Sequence, residues 1–513
     1  MRKLLTVVFF LLSVALNVQA AQNLKPNWGL GDVTDQNRAV TDSSNTNSLL
    51  AIVGGGSVNG GAVSNNTLIV DSQNISISDS TVIDQLVNLN RRLNPTYGAY
   101  VAGGVTFNNA ATGNKLVLIN LSGGVNALLG RDAYGGAALL QNSSERFGTG
   151  SANNNSVSVS HTTLVNQSLS TDPTVLIGGN VYGGYTEYSK GTANGNTVQI
   201  TNGSLITANV YGGYVKHQLT DEDLETAGVI DNYANNNYVL IKDSTVNGTV
   251  AGAYGAATSI GNVVEIDNST IVRQARAVGP GTGVEDSDAA TTSANDNTLI
   301  IRNGSTVADA AAVEARSVNA TGNTLTIDDS TVNAGGALYA VNMNLATSTT
   351  SGNSIAATVG SNTLNLNKIN GTFGEIGATL NRAGTANGNT INITNSNLTL
   401  ATPTIAGGAQ SFFGGMQAYL SQLETDNLFY MPSDKGAMFG GVGLTYTRMY
   451  SNDFVAETPA ATDVAIGGTN SDNNLVALKD STINANIFGG ISGYIDERSY
   501  TVAEYDTEDP TQL

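Results

Sequence analysis

The chain has 513 residues, with 22 Lys and Arg against 41 Asp and Glu, giving a net charge of −19. That balance argues against a nucleic-acid partner, which needs a clustered basic surface to engage phosphates. Charged residues are 12% and hydrophobic residues 40% of the chain, which fits neither a charge-driven disordered protein nor one embedded throughout in a membrane. Gly stands at 59, Pro at 8 and Cys at 0, so a disulfide framework and a cysteine-ligated metal are both excluded. A composition this rich in Gly, Asn, Ser and Thr suits strands and tight turns better than helices.

Residues 1–20 read as a secretory signal. Arg2 and Lys3 give a positive start, Leu4–Leu16 an apolar core of 13 residues, and Val18-Gln19-Ala20 a small-residue cleavage pattern. That core is shorter than the ~20 apolar residues of a membrane span, and no later stretch comes close. Residues 21–45 are expected to be a linker.

From about residue 46 to 505 the chain repeats. Eleven copies of one pattern open at Asn66, Asn114, Asn155, Asn196, Asn237, Asn262, Asn297, Asn323, Asn362, Asn389 and Asn474. Each has aliphatic residues two and four positions after the Asn, as in Val198 and Ile200 or Leu325 and Ile327. Such alternation predicts a strand with one buried face. A polar turn follows, then a second short strand carrying Ile206, Val246, Ile271, Val307, Val332 or Ile483. In the clearest copies a Gly-Gly strand comes next: Val210-Tyr211-Gly212-Gly213-Tyr214, Val181-Tyr182-Gly183-Gly184-Tyr185, or Ile487-Phe488-Gly489-Gly490.

Returning Asn residues at spacings of 25 (237→262), 26 (297→323) and 27 (362→389) predict an all-β, right-handed parallel β-helix, one coil per spacing. Gaps of 41 (114→155→196→237) are one coil with an insertion, or two coils with one degenerate. By length this gives about 15–20 coils. In register, each Asn amide can bond the next along the axis, and Asn also tolerates the left-handed backbone of a corner. Residues 83–93 are expected to form a helical insertion and 409–454 a divergent, aromatic-rich insertion. Asp221–Glu225 and Glu285–Asp288 read as acidic loop tips, and 506–513 as an acidic tail.

The signal peptide, the Asn-Thr-aliphatic copies and the VYGGY strands together resemble passenger regions of bacterial autotransporters, the type V-secreted surface proteins, over about residues 50–500. The resemblance implies export, a place at the outer membrane or cell surface, and display through a C-terminal β-barrel. After Asn474 only ~40 residues remain in this sequence, too few for the eight or more strands of such a barrel. Attachment is therefore expected through a barrel on another chain or in a continuation of this one.

No catalytic, cofactor or metal site is expected. His161 reads as a turn residue, and neither it nor His217 has a partner at ligand spacing. Asp328-Asp329 resembles a paired acid and base, but the same slot is Lys242-Asp243 or Lys479-Asp480 in other copies. Arg273 and Arg276 are expected to be solvated on a loop. The candidates for surface recognition are Tyr182, Tyr185, Tyr211 and Tyr214; three residues apart on a regular strand, one of each pair should point outward. The expected function is a non-enzymatic adhesin or display stalk for surface glycans or proteins, with self-association possible. The rivals are a β-helical polysaccharide-acting enzyme and a structural matrix protein.

Overall fold

The computed structural model describes residues 28–29, 32–40, 51–57, 60–71, 99–107, 109–121, 128–129, 131–140, 148–168, 176–216, 232–279, 292–315, 318–332, 336–343, 357–381, 384–400, 437–447 and 471–496. The signal segment, the expected helix at 83–93, His217, both acidic loop tips and the acidic tail lie outside these residues, as does most of 409–454. Among the described residues every regular element is a strand, and the strands are stacked in several sheets, almost all in parallel. The chain divides into two units, one of residues 1–216 and 240–248, the other of 217–239 and 249–513.

Every copy that opens with Asn forms the predicted strand. In the first unit Asn37–Val40, Thr67–Asp71, Lys115–Ile119, Ser156–Ser160 and Thr197–Thr201 pair successively in parallel. In the second, Val263–Asp267, Thr298–Arg302, Thr324–Asp328, Thr363–Asn367, Thr390–Thr394 and Leu475–Lys479 do the same. Pairing of Lys115 with Ser156 and of Ser156 with Thr197 shows that a gap of 41 residues is one rung with an insertion. The 85 residues from Asn389 to Asn474 likewise make one rung. The described rungs are therefore fewer than length alone suggested. One rung has no Asn signature: Gln36 precedes Asn37–Val40, within the range read as a linker, and its N–H donates to Asn66 Oδ1 at 2.9 Å.

The Asn side chains form buried ladders. In the first unit, the main-chain N–H and the Nδ2 of Asn66, Asn114 and Asn155 each donate to the Oδ1 of the following Asn at 2.9–3.2 Å. In the second unit the same double bond runs through Asn237, Asn262, Asn297, Asn323, Asn362, Asn389 and Asn474 at 2.8–3.1 Å. The second amide hydrogen goes to a carbonyl, as from Asn155 to Ala111 or from Asn323 to Ala294. Asn suits the place because one short side chain both donates and accepts. Beside the ladders lie fully buried aliphatic rows, Leu116, Val157 and Val198 in one unit and Leu299, Leu325 and Leu364 in the other.

The corner is not at the ladder Asn. The left-handed residue is the one before it: Asn65, Gly113, Asn154 and Gly195 in the first unit, and Asn236, Gly261, Asp296, Gly322, Ser361, Gly388 and Asn473 in the second. A second left-handed residue ends the strand six positions after the Asn, as at Asn120, Asn268, Asp329 and Asp480. None of the ladder Asn residues is left-handed. Three residues before it runs a row of small buried side chains, Ala111, Ala152 and Ala193 in one unit and Ala294, Ala320 and Ala386 in the other.

Next to the ladders, the Gly-Gly strands supply close approach. A Cβ on Gly183 would lie 2.5 Å from Gly212 O, and one on Gly184 2.4 Å from Asn196 Nδ2. The position of Gly183 is occupied in the second unit by Gly252, Ala277, Ala312, Ala340, Ala378, Gly440 and Gly489, never by anything larger than Ala. At the position of Gly184 the second unit has Thr379, whose hydroxyl donates to Asn389 Oδ1 at 2.8 Å and accepts from Asn362 Nδ2 at 3.2 Å.

Candidate functional site

The four candidate tyrosines come together in the first unit with Tyr134 and Tyr100. Register places Tyr134, Tyr182 and Tyr211 in one row, and Tyr185 and Tyr214 in another. Tyr134–Tyr182, Tyr182–Tyr211 and Tyr185–Tyr214 are stacked with ring centroids 5.0, 5.4 and 5.4 Å apart. Within each strand the members also touch edge to face, Tyr182–Tyr185 and Tyr211–Tyr214 both at 5.0 Å.

Both members of each pair therefore lie on the same side, contrary to the regular-strand expectation. Gly183 and Gly184 are the cause. Their Cβ positions both point toward the Asn196 strand, so two consecutive residues face inward and the alternation slips by one. Tyr182, Tyr185 and Tyr211 are buried and Tyr214 is half-buried. Aromatic pairs of this geometry contribute about 0.5–1.5 kcal/mol each beyond their burial. The rings bind each other across rungs and so join successive Gly-Gly strands through their side chains.

Two carboxylates flank the array. Asp132 Oδ1 accepts from Asn180 N at 3.0 Å and Asn180 Nδ2 at 2.9 Å, and Asn180 Oδ1 accepts from Asn209 in the same manner. This is a second ladder, ending on an acceptor-only side chain. Tyr134 donates to Asp132 Oδ2 at 3.4 Å. Burial pushes the Asp132 carboxyl up to about 6, against the lowering effect of the Asn180 and Tyr134 hydrogen bonds. Glu187 accepts from Tyr185 at 3.2 Å, Lys216 at 3.2 Å and Leu140 N at 3.1 Å. Burial raises its pKa too, opposed by Lys216. Burial also holds Tyr134, Tyr182 and Tyr185 well above the usual phenol range, so these rings stay neutral.

Of the other singled-out residues, His161 is exposed and left-handed, the strand-ending turn residue it was expected to be. Asp329 holds the same turn position, and Asp328 bonds Asn367 Nδ2 at 2.6 Å on the next rung. The pair is thus a turn variant. Arg276 is a correction. It lies on the strand Thr270–Val278 and is 3% exposed, with Nε donating to Glu314 at 2.7 Å and Nη2 to Asp309 at 2.5 Å. Arg273, on the same strand, is exposed. The acidic partners lie 33 and 38 residues away in sequence, so only the pairing of Thr270–Val278 with Thr306–Ala315 reveals them. A related cluster joins Tyr238, Glu265, Asp267 and Arg302, with Tyr238 pushed up to about 12, chiefly by burial and next by Glu265.

Among the described residues no helix is long and apolar enough to cross a membrane, and no group of three or more His, Asp or Glu is placed to hold a metal ion. Comparison with protein-family models, with known proteins and with solved structures gives no match.

Proposed function

We propose that the chain is a right-handed parallel β-helix exported to the cell surface as an autotransporter-type passenger, and that it serves as a non-enzymatic adhesin or display stalk. The observation that carries this reading is the direction in which the polar side chains act. The ladder amides and Arg276 bond side chains one rung on, and the Tyr134, Tyr182 and Tyr211 rings stack across three rungs. Such an arrangement stiffens a stack along its axis, which is what a stalk requires. Partner contacts then fall to the insertions between rungs, and glycans or proteins of another surface are the partners that fit this role.

The test joins the chain to an outer-membrane β-barrel and displays it on a Gram-negative host, with the barrel alone as control. Protease shaving reports exposure, and attachment is scored on arrays of glycans and matrix proteins. A displayed chain that adds no attachment to any surface overturns the adhesin role, and one retained inside the cell overturns the passenger reading.

A further inference from the structure

Five of the six rings in the first unit's aromatic array are 5–8% exposed, and the sixth, Tyr214, is half-buried. Tyr214 touches Tyr182 and Tyr211 edge to face, with centroids 5.4 and 5.0 Å away. Its parallel neighbour is Tyr185. Register sets the two directly opposite on paired parallel strands, and their planes differ by 12°. Their centroid separation of 5.4 Å little exceeds the ~4.8 Å between strands, so like atoms of the two rings lie one above the other with a small offset.

A base stands at the oxygen of Tyr185. The hydroxyl donates to Glu187 Oε1 at 3.2 Å, and Glu187 is buried and fixed by Lys216 Nζ at 3.2 Å and Leu140 N at 3.1 Å. Burial holds the Tyr185 phenol neutral. A buried neutral phenol that loses an electron must lose its proton as well, because the charge left behind is unsolvated, and Glu187 is placed to receive it. Of the three stacked pairs, Tyr134–Tyr182 and Tyr182–Tyr211 have both rings buried. Tyr185–Tyr214 alone combines a hydrogen-bonded carboxylate with a ring that solvent reaches.

We infer that Tyr185 and Tyr214 form an oxidative cross-linking site, at which a one-electron oxidant of the peroxidase class, using hydrogen peroxide, joins two rungs through a dityrosine bond. Each phenol gives up one electron and one proton, the proton of Tyr185 to Glu187 and that of Tyr214 to solvent. The unpaired electron of a phenoxyl ring lies partly on the carbons beside the oxygen, the Cε atoms, and a bond forms between one Cε of each ring. The hydrogen displaced from each of those carbons passes to the oxygen of its own ring, which restores both phenols. One hydrogen peroxide takes up the two electrons and two protons and leaves as two waters. The product is a covalent staple between the strands Val181–Thr186 and Val210–Val215.

The folded chain, with its 19 Tyr, is treated with a peroxidase and hydrogen peroxide, then digested, and cross-linked peptides are identified by mass spectrometry. The expected product runs as a single chain on a denaturing gel, shows dityrosine fluorescence, and joins the Tyr185 peptide to the Tyr214 peptide with the loss of two hydrogens. Tyr214→Phe keeps the stack and abolishes this product. Glu187→Gln keeps the shape, removes the base and slows coupling by about tenfold or more. Both variants are compared with the parent at matching circular dichroism. Tyr185 and Tyr214 left uncoupled in the folded chain, or coupled equally well in denaturant, overturn the inference, and so does a rate that Glu187→Gln leaves unchanged. The assay reads covalent coupling alone and does not depend on the adhesin reading.

Discussion

Asn297 and Asn323 are joined twice: the main-chain N–H and the Nδ2 of Asn297 both reach Asn323 Oδ1 at 3.0 Å. The other Nδ2 hydrogen goes to Ser259 O at 2.9 Å. Asn297→Asp keeps the shape and removes both side-chain donors, so Ser259 O loses its Asn297 bond and Asn323 Oδ1, still held by the main-chain N–H, faces a buried carboxylate. The expected cost is roughly 3–5 kcal/mol, from ~1–3 kcal/mol per unsatisfied buried group. Hydrogen exchange checks it, with loss of protection centred on Thr298–Arg302 and Thr324–Asp328.

Asp132 gives the first unit an unusual pH response. Its folded-state pKa of about 6 lies above the unfolded carboxylate value of ~3.9. Between those values the folded state binds more protons, so this group's contribution to stability rises as pH falls from above 6 toward 4. Glu187, also raised, acts in the same direction. Asp132→Asn completes the Asn180–Asn209 ladder with a neutral acceptor. It should stabilise the unit at pH 8 by on the order of 1 kcal/mol, discounted for partial exposure, and flatten the pH dependence of melting.

Ser259 sits in the row of small residues that is Ala at 294 and 320, and its buried hydroxyl has no hydrogen-bond partner. Ser259→Ala removes that hydroxyl without changing the packing. A gain of about 1 kcal/mol in chemical denaturation is expected.

Two glycines separate close approach from backbone strain. A Cβ on Gly184 would meet Ala152 O at 2.3 Å and Asn196 Nδ2 at 2.4 Å, whereas Gly203, with φ of +73°, has nothing within 4 Å. Gly184→Ala should cost about 3 kcal/mol or more, because backbone and ladder must both shift. Gly203→Ala should cost only about 1 kcal/mol, the left-handed penalty. Thermal melts of the two variants check the difference.

Arg276 is held by Asp309 and Glu314 with its own side chain almost fully buried. Arg276→Ala leaves a cavity and removes the guanidinium that Asp309 and Glu314 both face, and a loss of roughly 3 kcal/mol is expected. Glu314→Gln, which retains an acceptor for the guanidinium, should cost less than half of that in the same denaturation assay.

Much of this molecule is set by neighbours in sequence. The Asn, the aliphatic residues two and four positions on, and the polar turn after them each imply a short strand with one buried face, and identical copies must stack identical side chains. The Asn ladders follow from that periodicity because Asn carries its own donor and acceptor. What the tertiary structure decided lies between rungs. Only the register shows that a gap of 41 residues is a single rung, that Gln36 stands in for Asn, and that Arg276 meets Asp309 and Glu314. The tyrosines were legible as a recurring feature, but their side was not. The slip at Gly183-Gly184 comes from the approach of a neighbouring strand to two residues without side chains, and a local pattern of alternation carries no information about what presses on it from across the stack.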